Sequence, residues 1–118
     1  MEAAVYRWDQ LPTDKPMALL DRRRIIGQQI MISHVRLQKG CDVPMHAHEN
    51  EQFAMIVSGR LRFGIGGKDG QTPAEVVVSA GEVIHLPSNL PHSAFALEDT
   101  LVLDVFSPPS EKTGIDRK

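Results

Sequence analysis

The chain has 118 residues, 42% hydrophobic and 24% charged, with a formal net charge of −2. That length suits one domain with one modest core and leaves no room for a second. The near-neutral balance gives no electrostatic drive toward nucleic acid or an anionic membrane surface, and no stretch approaches the roughly 20 apolar residues of a membrane-spanning helix.

The opening segment MEAAVYRWDQLPTDKP lacks an apolar run of signal-peptide length, and Cys41 is the single cysteine, so no intrachain disulfide can form. Both features lead us to expect a cytoplasmic protein. Val5, Tyr6 and Trp8 are the apolar residues in this stretch that could meet a partner.

Beyond it, no run of ten or more residues carries clean helical spacing. Short β-rich runs recur instead, at 18–20, 24–26, 29–37, 53–57, 61–65, 75–78, 83–86, 93–97 and 101–106. Between them stand turn-forming residues, among them Gly40, Ser58-Gly59, Gly66-Gly67-Lys68-Asp69-Gly70, Gly81 and the segment 87–91. About nine short strands at this spacing predict an all-β sandwich or barrel, not an alternating α/β fold.

Strand phase is readable in the third of these runs. Side chains alternate between the faces of a strand, so Met31, Ser33, Val35 and Leu37 are expected to face inward and His34 outward into solvent. Arg22-Arg23-Arg24 reads as a solvated strand or an internal ion pair. The tail from Ser107 onward, SPPSEKTGIDRK, reads as a mobile or surface-hugging terminus.

The informative stretch is Gly40-Cys41-Asp42-Val43-Pro44-Met45-His46-Ala47-His48-Glu49-Asn50-Glu51-Gln52-Phe53. On an extended chain His46 and His48 share a face, and their nitrogens could meet one cation. If extension continues, Gln52 keeps the same parity, while Glu49 and Glu51 fall on the other side. By itself a His-x-His pair is weak evidence for a metal, and two surface or hydrogen-bonded histidines are the commoner case. Cys41 has the opposite parity and reads as a small buried thiol. His85, between Ile84 and Leu86, reads as a structural histidine, and Met45 and Met55 as core or pocket-rim residues. In the last strand Asp104 interrupts an apolar run. A carboxylate there needs a partner or a wet cavity, since an isolated buried charge is costly.

The spacing Gly40, His46, His48, Gln52, Gly59 resembles the first cupin motif, with Gln52 where the family usually carries glutamate. Gly81, Pro87, Asn89, His92 resembles the second, with Asn89 replacing a usual glycine. The resemblance implies a double-stranded β-helix, or jelly-roll barrel, spanning the chain as a single domain: a core at about 24–107 and a polar tail at 108–118. It also implies a divalent transition metal (Zn, Ni, Fe or Mn) held by His46, His48, Gln52 and His92.

Residues 91–99 and 103–109 are similar to a small cupin subgroup that includes pectin-degradation proteins, which convert unsaturated uronates to linear keto sugars. That resemblance implies active-site roles for Asp104 and Phe106. Inward phase adds Met31 and Ser33 to the expected pocket, and the likeness to small cupins in general implies a homodimer. The subgroup carries an arginine just after the two prolines, where this chain has Ser110. An arginine clamps a carboxylate with two parallel hydrogen bonds; serine cannot.

Three neutral imidazoles and a neutral amide leave a metal's charge uncompensated, which favours a small anionic substrate. The expected function is lyase or isomerase chemistry on an acidic carbohydrate or keto acid through a metal-stabilised enolate, with Asp104 moving the proton. An Fe(II)-dependent dioxygenase is one alternative, and a non-catalytic sugar-binding or sensing module another.

Overall fold

The protein, seen here as a computed structural model, is described over residues 2–67 and 70–115. The expected turn at Lys68-Asp69 and the last three tail residues lie outside that description. A single turn of 3-10 helix, Trp8–Gln10, precedes ten strands. They are β1 Asp14–Met17, β2 Leu20–Ile26, β3 Met31–Leu37, β4 Asp42–His46, β5 Glu51–Ser58, β6 Arg60–Ile65, β7 Ala74–Ser79, β8 Val83–Leu86, β9 His92–Ala96 and β10 Thr100–Ser107. All described pairings are antiparallel. Six strands form one sheet in the order β1-β2-β3-β10-β5-β8, and four form the other in the order β4-β9-β6-β7. This is the jelly-roll barrel that the motifs imply.

Alternation fixes what each sheet turns inward. Leu20, Val35, Leu37, Ala54, Ile56, Leu86 and Val102 from the larger sheet meet Val43, Leu61, Phe63, Val78 and Ala96 from the smaller one in a single buried cluster. Cys41 belongs to this cluster and is fully buried, where loss of solvent raises its thiol pKa. Met31, Ser33, Val35 and Leu37 all face in, as their phase predicts.

Two expectations need correcting, and one alternative is decided. Residues 18–20 are not a strand: Ala18-Leu19 is a turn, with Leu19 at φ +66°, joining β1 to β2. His34 lies on the outer face but is buried, its ring 5.0 Å from that of Trp8. Of the two readings of the basic cluster, Arg22 takes the internal ion pair. It is 3% exposed and bonds Asp14 through Nε at 3.1 Å and Nη2 at 2.7 Å, whereas Arg23 donates to the Thr13 hydroxyl at an exposed position.

Candidate metal centre

β4 ends at His46, opposite His92 of β9 in the register of the smaller sheet. The chain then bends through 47–50 instead of staying extended, and enters β5 in the larger sheet. Gln52 therefore reaches the site from the facing sheet, and shared parity with His48 is not the reason. In β10, Phe106 stands opposite Gln52, and Asp104 opposite Ala54.

The ligand atoms of His46, His48 and His92 lie within 4.8 Å of one another. Each ring is oriented by a backbone carbonyl that accepts from Nδ1–H: Pro44 for His46 at 2.8 Å, Asn50 for His48 at 3.0 Å and Leu90 for His92 at 2.9 Å. With Nδ1 protonated, a neutral ring presents its lone pair on Nε2, the arrangement that outer-shell partners impose on metal-binding histidines. Burial favours the neutral form. It lowers the pKa of His48 and pushes that of His92 down to about 4.

Gln52 joins the cluster to the carboxylate. Its Nε2 donates to Asp104 Oδ1 at 2.9 Å, which turns Oε1 toward His48 Nε2 at 3.1 Å. With His48 donating through Nδ1, that Nε2 and Oε1 are two acceptors facing each other. A cation bound by both resolves the conflict, so the donor set fits a divalent metal. Desolvation raises the Asp104 carboxyl to about 7, although the Gln52 hydrogen bond pulls the other way.

Asp104, Gln52, His46, His92 and Phe106 line one cavity of about 60 Å³. Met31 and Ser33 face the same interior but do not line it. They pair with Phe106 and Asp104 across β3–β10, one strand further from the histidines. Met45 and Met55 are also absent from the lining. His85 sits on the outer face, stacked on Phe53 with ring centroids 4.5 Å apart and 2.6 Å from Glu51.

The tail supplies two lining residues that the sequence reading missed. Thr113 and Ile115 cover the cavity, so residues up to 115 neither hang free nor merely follow the surface. The one signal for this was the Thr113-Gly114-Ile115 triplet in an otherwise polar segment, which is weak.

Residues 33–106 match the cupin domain family, Cupin_2. The chain belongs to that family. It superimposes on KdgF from Halomonas sp. with a TM-score of 0.82 at 23% identity, covering 93% of this chain and 97% of that one. An RmlC-like cupin from Shewanella frigidimarina gives 0.81 at 22% identity, covering 93% and 95%. Bacillus subtilis oxalate decarboxylase gives 0.80 at 21%, covering 96% of this chain but 33% of the longer one. Likenesses at these identities establish the fold. In sequence, 60 residues (51% of this chain) are 38% identical to the acireductone dioxygenase of Bacillus licheniformis, of which the match spans 33%.

Proposed function

We propose that this cupin is a metal-dependent enzyme of the lyase or isomerase kind, acting on a small acidic carbohydrate or keto acid. One observation carries the reading: three histidines converge with Nδ1 occupied, beside a glutamine hydrogen-bonded to a carboxyl group in the same cavity. His46, His48, His92 and the Oε1 of Gln52 hold the metal, one of Zn, Ni, Fe or Mn. Bound there, a divalent metal supplies Lewis acidity that steadies negative charge on a substrate oxygen.

The remaining steps fall to the chain. Asp104 takes or returns a proton at the carbon next to the substrate carbonyl, through its carboxyl oxygens. Gln52 Nε2 fixes the orientation of that carboxyl. Phe106, edge-on to His48 with ring centroids 5.7 Å apart, is an apolar wall that limits water. The substrate's anionic group matches a donor set without negative charge.

Metal content by mass spectrometry, in the wild type and in His48→Ala, is the first test. About one equivalent should be present and lost in the variant. The second test is exchange of the α-protons of a keto acid with D2O, followed by NMR. Asp104→Asn should slow it by roughly 10²-fold or more at unchanged metal content. Metal-free protein in both samples after reconstitution would refute the reading.

The acireductone dioxygenase match favours a second reading, an Fe(II) dioxygenase. Iron as the resident metal together with substrate-dependent oxygen uptake would select it. Metal binding without either chemistry would leave a sugar-binding or sensing module. We further propose a single domain over residues 1–118, a cytoplasmic location and a homodimer. Val5 and Tyr6 are exposed near the N-terminus, and light scattering of the purified protein tests the dimer.

A further inference from the structure

After the two prolines the chain turns back across the mouth of the barrel. Asn50 Nδ2 donates to the Pro108 carbonyl. Ser110 Oγ donates to the Lys112 carbonyl at 2.8 Å and accepts from the Lys112 amide at 3.1 Å, which closes a tight local turn. Arg24 then reaches out from β2: its Nη1 donates to the Glu111 carbonyl at 2.7 Å, while its Nη2 lies 3.6 Å from Asp14.

Past that anchor the strap enters the site. Thr113 is 5% exposed, and Ile115 packs against the buried core cluster. Gly114, at φ +95°, lies directly over His46. A Cβ there would clash with Cδ2 and sit 3.0 Å from Cγ of the imidazole. Glycine is needed twice over, for the left-handed backbone and for the close approach. Thr113 and Ile115 thus form a wall of the cavity whose other walls include Gln52, His92 and Asp104.

The cavity that this wall bounds is partly open, and Thr113 and Ile115 narrow it from the side of the tail.

We propose that residues 111–115, latched by Arg24, are the specificity-determining wall of this centre and favour short acids over bulkier ones. This rests on the metal-enzyme reading and adds that the strap ranks short keto acids above acidic sugars. Ser110 fits the same assignment, since its hydroxyl shapes the turn that directs the strap inward.

The test compares Co(II)-loaded full-length protein with a chain ending at Ser110 and with Arg24→Met, which cuts the latch without shortening the chain. Pyruvate and galacturonate are titrated into each while the visible Co(II) spectrum is followed. The full-length protein should bind galacturonate at least about tenfold more weakly than pyruvate. That ratio should fall below about threefold in the shortened chain and to an intermediate value in Arg24→Met. Amide exchange at 113–115, measured on metal-free protein, should be faster in Arg24→Met than in the wild type. An unchanged ratio in both variants, or equal binding of the two acids by the full-length protein, overturns the size selection. Unchanged amide exchange in Arg24→Met overturns the latch. Failure of the full-length chain to take up Co(II) would refute the metal reading, and the size selection with it.

Discussion

The ring of Trp8 covers that of His34 at 5.0 Å with a tilt of 38°, and the electrostatic state of the histidine follows from that cover. Desolvation lowers its pKa first, and the positive charges of Arg36 and Arg23 lower it further, against a backbone hydrogen bond that acts the other way. A histidine with a lowered folded pKa contributes stability that is complete above its unfolded value of about 6.5 and is lost as pH falls through the folded value. Trp8→Ala restores solvent to the ring but leaves both arginines in place. The His34 pKa should therefore rise toward, without reaching, its ordinary value. Titration of the ring protons by NMR reads this directly, and an unchanged pKa would mean that the arginines alone set it. Strand phase gave the outward direction of His34 correctly. It could not reveal the cover, which comes from a flanking segment 26 positions earlier in the chain.

Among elements, the one-residue turn that carries the chain from β5 in the larger sheet to β6 in the smaller one leaves no room for a side chain. Gly59 has φ +89°, and a Cβ there would collide with the Asp99 carbonyl and the Thr100 hydroxyl and lie 2.7 Å from the Thr100 Cα. The same hydroxyl accepts from the Arg60 amide at 3.1 Å, so it cannot withdraw freely. Gly59→Ala combines a left-handed backbone with a clash against main chain, and should cost about 2–4 kcal/mol. Urea denaturation checks it; a loss below about 1 kcal/mol would show that the turn can relax. Alternation made the strands bearing long apolar runs legible, and 83–86 agrees to the residue with β8. The two strands missed, β1 and β4, each contain a proline, Pro16 and Pro44. Both are edge strands, where a missing N–H costs no ladder bond, so proline there does not exclude a strand. The same proline and polar residues that hid β4 also hid the strand that delivers His46.

At the scale of the whole molecule the candidate centre is a clip between layers. His46 and His92 come from the smaller sheet, Gln52 from the larger one, and His48 from the segment that crosses between them. The motif spacing identified these four residues without showing that they join two sheets, because spacing along a chain does not say which sheet a strand enters. The strap was less legible still, since its contacts with His46 and the core depend on one glycine and two small-to-medium side chains in a polar tail. Were these four residues to hold a metal, its binding would be coupled to the packing of one sheet on the other. A metal that binds the folded chain alone adds RT ln(1 + [M]/Kd), about 2.7 kcal/mol at a free concentration one hundred times Kd. For a domain of this size that corresponds to a rise in Tm of roughly 10 °C. The rise should appear when metal is added to chelator-treated protein, reverse with excess chelator and vanish in His48→Ala. Gln52→Ala should keep part of it, because three imidazoles remain and all of them lie outside the larger sheet. If Gln52→Ala shows the full wild-type rise, the metal does not bridge the sheets, and the glutamine serves only to orient Asp104.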